Sequence, residues 1–112
     1  MWLMTKFGFF SVVEKPEDKK MGTATIRARV RSDLEGLREY LPQMGEIQAN
    51  VGTDYPFRIR ALKSELAVAL SKIALDIDYS NFKDVVAKKQ GKSRASCYGK
   101  VWGILYELEE SE

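Results

Sequence analysis

The stretch that decides the fold is Ala24-Thr25-Ile26-Arg27-Ala28-Arg29-Val30-Arg31, in which aliphatic and polar side chains alternate throughout. Because successive side chains of a strand point to opposite faces of a sheet, this alternation predicts a strand with one buried and one polar face. A second stretch, Phe57-Arg58-Ile59-Arg60-Ala61-Leu62, repeats the pattern with two more arginines. Together they predict a sheet with a core side and an arginine side.

Size and composition predict one globular domain spanning residues 1–112. The fractions of hydrophobic residues (45%) and charged residues (30%) are those of an ordinary soluble protein. The net charge of +2 is too small to indicate a nucleic-acid-binding protein by itself. Any argument for anion binding therefore depends on where the arginines lie.

Cys97 is the only cysteine and cannot form an internal disulfide, so we expect a reduced, cytoplasmic protein. Residues 1–7 have no basic segment before their apolar run, and Lys6 interrupts that run. These features favour a strand over a signal peptide. No apolar run approaches the length needed to cross a membrane, so we expect no membrane partner.

The hydrophobic periodicity predicts the element order β-β-α-β-β-α-α-α. A turn rich in charge, proline and glycine, Lys15 to Gly22, joins the first two strands. Ser32 and Glu35 form a capping-box pattern at the start of the first helix, which Pro42 ends. The predicted strands are 2–14, 24–31, 46–51 and 57–62, and the predicted helices are 32–41, 63–77, about 80–91 and 93–108.

The predicted fold is α+β, a two-layer sandwich with a four-stranded antiparallel sheet. Its middle section, strand-helix-strand-strand-helix, is most of a ferredoxin-like unit. In that arrangement strands 24–31 and 57–62 are neighbours at the centre, and strand 2–14 takes an edge. The extra C-terminal helices pack on the helical layer or on the other side of the sheet; both placements stay open.

Neighbouring central strands would bring Arg27 and Arg29 beside Arg58 and Arg60. Like charges opposite one another destabilise a sheet, whereas guanidinium groups bind carboxylates and phosphates through paired hydrogen bonds. Three interpretations are open: a solvated face, an interface between subunits, and a platform for nucleic acid or another anionic ligand. On such a platform the residues available for base stacking are Phe7, Phe9 and Phe10.

The chain contains no histidine, which removes Ser-His and Cys-His nucleophilic pairs and most zinc sites. Cys97 lies on an apolar helix and is predicted to be buried and unreactive. Gly91-Lys92-Ser93 is similar to the end of a phosphate-binding loop, but Val86 stands where that motif needs its first glycine. The carboxylates that could bind magnesium are Asp54, Asp76, Asp78 and Asp84.

Four segments, WLMTKFGFFSVV, GTDYPFRIR, DIDYSNFKDVV and VWGILY, resemble those of a family of small uncharacterised bacterial proteins that includes cyanobacterial members. The resemblance spans nearly the whole chain. It implies a bacterial cytoplasmic protein and transfers no catalytic role, because the family has no assigned activity. The residues it makes candidates are Asp54, Tyr55 and Arg58 in one segment and Asp78, Tyr79 and Phe82 in another.

We therefore expect a binding or assembly module rather than an enzyme, with no cofactor. We expect it to self-associate as a homo-oligomer and to bind an anionic partner, which is a nucleic acid, a phosphate ligand or an acidic protein segment. The alternative is a small magnesium-dependent enzyme of phosphoryl chemistry that uses the aspartates. The predicted binding residues are Arg27, Arg29, Arg58, Arg60, Asp54 and Tyr55.

Overall fold

A computed structural model describes residues 1–49 and 54–111 of the chain. These fall into two compact units, Met1–Ile77 and Asp78–Glu112, each with its own packing. The first unit contains the sheet and the four arginines predicted to bind, and the second unit is helical. The expectation of a single domain stays a prediction.

The first unit is an α+β structure built on one five-stranded antiparallel sheet. The strand order is β1-β2-β3-β5-β4, so the two arginine-bearing strands, β3 and β5, are paired near the centre as predicted. The strands are β1 (Trp2–Met4), β2 (Phe9–Val13), β3 (Thr23–Ala28), β4 (Gln48–Ala49) and β5 (Phe57–Leu62).

The prediction of four strands is wrong because the first predicted strand, residues 2–14, is a hairpin of β1 and β2. Thr5 closes its turn: the Thr5 hydroxyl donates to the Gly8 carbonyl at 2.9 Å and accepts from the Gly8 amide at 3.0 Å. The third predicted strand, 46–51, is reduced to the short edge strand β4. Residues 50 and 51 of that prediction lie outside the described residues.

The core side of the sheet carries the aliphatic residues of the alternating pattern, as the sequence predicts. Ile26 and Ile59 are opposite one another on β3 and β5 and are almost completely buried. They pack in one hydrophobic cluster with Phe10 of β2 and with residues of two helices, α2 (Arg31–Leu37) and α3 (Lys63–Leu75). The arginines that alternate with these aliphatic residues therefore lie on the other side of the sheet from this cluster.

The segment predicted as a turn between β2 and β3 contains a short helix, α1 (Pro16–Met21). Proline at its first position, acidic residues in its first turn and lysines in its last turn are helix-forming signals. Gly22 ends the helix in the left-handed conformation, with φ of 68°, which glycine adopts without steric cost. The sequence does not predict this helix because proline, charged residues and glycine within eight residues are equally typical of a turn.

Helix α2 begins at Arg31, with Val30 as its N-cap residue, so the predicted strand 24–31 is too long at its end. Arg31 consequently leaves the arginine side of the sheet, and Val30 is 42% exposed rather than part of the core. The predicted capping box of Ser32 and Glu35 is wrong, since the N-cap residue is Val30 and no side chain caps this end.

The second unit contains α4 (Phe82–Gln90), α5 (Lys92–Leu105) and a 3₁₀ helix (Tyr106–Ser111). The Asn81 side chain caps α4 by accepting a hydrogen bond from the Asp84 amide at 3.0 Å. Phe82 of α4 and Tyr98 of α5 stack with ring centroids 6.0 Å apart. Cys97 is exposed, contrary to prediction, because only part of α5 is buried.

Among the described residues, no helix combines the length and the apolar character that crossing a membrane requires.

Candidate anion-binding face

The arginine face is the side of the sheet that carries Ser11, Thr25, Arg27, Arg58 and Arg60. The register places Arg27 directly opposite Arg58 and Thr25 directly opposite Arg60. Residues paired in this way on an antiparallel sheet have their Cβ atoms about 5 Å apart and project to the same side. Strand pairing therefore brings the predicted arginines of β3 and β5 together.

One end of this face, the closed end, is the site where the Asp18 carboxylate of α1 meets Arg60. Asp18 is completely buried, and its Oδ1 lies 3.0 Å from Arg60 Nε. The hydroxyls of Thr23 and Thr25 donate to the same carboxylate at 2.6 and 2.7 Å, and the Lys15 amide donates to it at 2.7 Å. This carboxylate is fully satisfied, as a buried charge must be.

The protonation of Asp18 follows from these contacts. Burial alone raises the pKa of this carboxyl, because it penalises the charged form. The hydrogen bonds from Thr23, Lys15 and Thr25, together with the charge of Arg60, outweigh burial and hold the pKa of Asp18 below its ordinary value of 3.8. Asp18 is therefore a stable anion at neutral pH, and it neutralises Arg60.

The open pair is Arg27 and Arg58, the two arginines opposite one another on β3 and β5. Arg27 Nη2 donates to Ser11 Oγ at 2.7 Å. The Nε atoms of both arginines are buried, and neither has a hydrogen-bond partner among the described residues. Two like charges thus stand on directly opposed residues, and each has one unused N–H donor, an arrangement that costs free energy unless an anion completes it.

Tyr55 lies at the end of the arginine face next to the open pair and contacts two arginines. Its buried ring lies 4.6 Å from the guanidinium carbon of Arg27 and 4.6 Å from that of Arg29, which are cation–π distances. Arg29 Nη1 also donates to the backbone carbonyl of Asp54 at 3.0 Å. The loop before β5 therefore fixes Arg29, which lies just beyond the end of β3, and helps to orient Arg27.

The predicted site residues thus divide into groups with different surroundings. Arg27, Arg29 and Tyr55 cluster, with Arg58 across the strand pair, whereas Arg60 is engaged by Asp18 and, at 3.7 Å, by Glu17. Asp54 contributes its backbone carbonyl to the cluster. Their role in binding stays a prediction, although the placement of the open pair agrees with the predicted pattern.

Sequence reasoning missed two residues that shape this face, Asp18 and Ser11. Asp18 stands in a segment that the sequence predicts to be a turn, and its burial depends on α1 folding back against β3. Ser11 belongs to a strand with apolar residues on both parities, so the pattern does not show which face it joins. Its pairing with Arg27 on β3 decides that.

The second segment that the resemblance picks out lies at the start of α4. Asp78, Tyr79, Asp84 and Lys88 line part of an open cleft of about 710 Å³ there. Lysines and aspartates are mixed in this cleft, so no single charge dominates it. Among residues 1–49 and 54–111, no group of three or more His, Cys, Asp or Glu side chains is placed to hold a metal ion. The magnesium alternative stays a prediction.

Comparison with known proteins adds no relative: the chain matches no protein-family model, no curated protein and no solved structure. The resemblance to small bacterial proteins therefore stays a prediction, and the argument for function depends on the geometry of the arginine face.

Proposed function

We propose that this chain is a non-enzymatic binding module whose open pair, Arg27 and Arg58, holds an oxyanion of its partner, a phosphate or a carboxylate. The observation that carries the proposal is the pair of buried Nε atoms without partners on directly opposed strands. Buried donors are almost always satisfied in folded proteins, so two unsatisfied donors on directly opposed residues call for an acceptor.

The chemistry of the guanidinium group supports an oxyanion as that acceptor. Each guanidinium presents its N–H donors in a planar fork that matches a carboxylate or phosphate and keeps its charge at any physiological pH. An anion between the two arginines would also remove their mutual repulsion. The Ser11 hydroxyl and the Tyr55 ring hold Arg27 in place, which lowers the entropy lost on binding.

Self-association is a second part of the proposal. Helix α5 exposes large apolar side chains, among them Trp102 at 66% and Leu105 at 53%. Contiguous exposed apolar residues are typical of surfaces that contact another protein, and we take a second copy of this chain as that partner. Light scattering over a range of concentrations tests this part, and a monomer at every concentration would contradict it.

The finer fold assignment also belongs to the proposal. The central antiparallel pair of β3 and β5, with β2 beside β3 and β4 beside β5, supports a ferredoxin-like middle section extended by β1. A bacterial origin and a cytoplasmic location stay predictions.

Calorimetric titration of the full chain with pyrophosphate tests the anion site. We expect saturable binding in the wild type and a loss of affinity of about tenfold or more in Arg58→Gln, because a hydrogen-bonded charge is removed. Arg31→Gln is the matched control, since Arg31 is exposed on α2 and has left the face. Equal affinities in wild type and Arg58→Gln, or no binding at all, would contradict the proposal.

A further inference from the structure

We infer that the partner of the open pair is single-stranded nucleic acid, with Trp2 as the residue on which a base stacks; this inference rests on the proposed function. It starts from a row of five residues that crosses the whole sheet. The register pairs Trp2 with Ser11, Ser11 with Arg27, Arg27 with Arg58, and Arg58 with Gln48. Directly paired residues project to the same side, so this central row lies on the arginine face.

Trp2 has the exposure and the support that a stacking residue needs. Its side chain is 72% exposed, although an indole is normally buried for most of its surface. The ring contacts Phe9 edge to face, with centroids 5.8 Å apart, so Phe9 supports it on the same side of the sheet. An exposed aromatic ring that is held in place offers a flat face to a nucleic-acid base.

The spacing along the central row suits one strand of nucleic acid. Neighbouring strands lie about 4.8 Å apart, so the backbones at Trp2 and Arg27 are separated by roughly 10 Å and those at Trp2 and Arg58 by about 14 Å. A base on Trp2 therefore leaves the sugar-phosphate backbone running towards the two guanidinium groups. At the other end of the row the exposed amide of Gln48 can donate to or accept from a second base.

This arrangement favours an unpaired strand over the other anions that the arginines could hold. A duplex keeps its bases stacked inside, out of reach of Trp2, and a phosphate compound without a base has no ring to stack on Trp2. Stacking and phosphate contact together are the common means by which proteins bind single strands without reading their sequence. We therefore expect weak sequence preference and strong dependence on salt.

Fluorescence titration tests the inference on the full chain carrying Trp102→Phe, which leaves Trp2 as the only tryptophan. The ligands are a short oligothymidylate and an abasic strand of the same length, which has the phosphates without the bases. We expect oligothymidylate to quench Trp2 and to bind at least about fivefold more tightly than the abasic strand. In Trp2→Leu, followed by fluorescence anisotropy of labelled strands, that difference should vanish while binding of the abasic strand remains.

The outcomes separate this inference from the proposed function. Equal affinity for the two strands, or binding of pyrophosphate without binding of either strand, would overturn the nucleic-acid assignment and leave the anion site standing. Unchanged binding of both strands in Arg58→Gln would overturn the anion site as well. Circular dichroism of Trp2→Leu checks that the variant is folded, which its exposed position favours.

Discussion

Arg60 and Arg58 lie two residues apart on the same strand and face, yet their surroundings are opposite. Arg60 meets a buried carboxylate that three further donors hold in place. Arg58 faces another arginine, and its Nε is buried without a partner in the described part of the chain. The position of one aspartate on α1 separates the closed end of the face from the open pair.

The comparison teaches that arginines on one face of a sheet can have different roles, so the whole arginine face should not be treated as one binding site. At the closed end the charges are complementary within the chain, so Arg60 stabilises the fold. At the open pair the Nε donors have no complement among the described residues, and the anion that we propose would supply it. A site that costs stability in the free protein is typical of residues kept for binding, and the predictions below test this division.

The largest effect should come from Asp18→Asn at the closed end. The amide cannot satisfy the donors of Thr23, Thr25 and Lys15 together, and Arg60 loses its charge partner. We expect the free energy of unfolding to fall by about 2–4 kcal/mol. Urea denaturation measures this, and a change below about 0.5 kcal/mol would show that the closed end does not hold the fold together.

The same carboxylate predicts how stability depends on pH. The pKa of Asp18 is lowered in the folded chain, so the unfolded chain takes up this proton at a higher pH than the folded chain does. The stabilisation is complete above the ordinary pKa of 3.8 and is lost as pH falls through the lower folded value. Urea denaturation from pH 6 to pH 2, about the ordinary range of carboxylates, should show this loss in wild type.

Asp18→Asn is the control for that pH series, because it lacks the titrating group. Its stability should fall less steeply than that of the wild type below about pH 4. Parallel curves for the two proteins would mean that the pKa of Asp18 is not lowered by folding.

The two arginines should respond to the same substitution with opposite signs. Arg60→Gln leaves Asp18 without its charge partner, and we expect a loss of about 1 kcal/mol because the Arg60 side chain is 45% exposed. Arg58→Gln removes a like-charge pair, and we expect a gain of about 0.5 kcal/mol. Thermal or urea denaturation of both variants compares them, and a loss of stability in Arg58→Gln would contradict an open pair.

The smallest effect on stability is expected for Tyr55→Phe. Tyr55→Phe keeps the ring beside Arg27 and Arg29 and should change stability little, whereas Tyr55→Leu removes the cation–π contacts and should cost about 1 kcal/mol. Tyr55→Leu should also weaken pyrophosphate binding several-fold by releasing Arg27. Identical behaviour of the two variants would show that the ring does not orient the arginines.

The alternating strands could be predicted from sequence because each alternation has one physical explanation, a sheet with two unlike faces. That reasoning correctly paired β3 with β5 and placed Arg27 beside Arg58. It failed where a short segment fits two structures equally well. Helix α1 has the composition of a turn, and the hairpin of β1 and β2 is hidden because its residues are apolar on both parities.

The candidate site, like the fold, could be predicted from the sequence only in part. The arginines follow from parity, but the distinction between Arg58 and Arg60 depends on Asp18, which tertiary folding brings to β3 and β5. The sequence pattern predicts only that Trp2 belongs to a strand, because its place in the central row follows from register, and periodicity does not give register. The sequence therefore predicts which residues carry the charge, but the pairing of segments distant in sequence determines which of them lie together.

The most direct test follows the arginine Nε–H signals by NMR while pyrophosphate is added to the full chain. The account predicts that the signals of Arg27 and Arg58 move in a saturable way and that the signal of Arg60, already bonded to Asp18, stays in place. Signals of all three arginines that move together without saturation, or a signal of Arg58 that does not move, would contradict it.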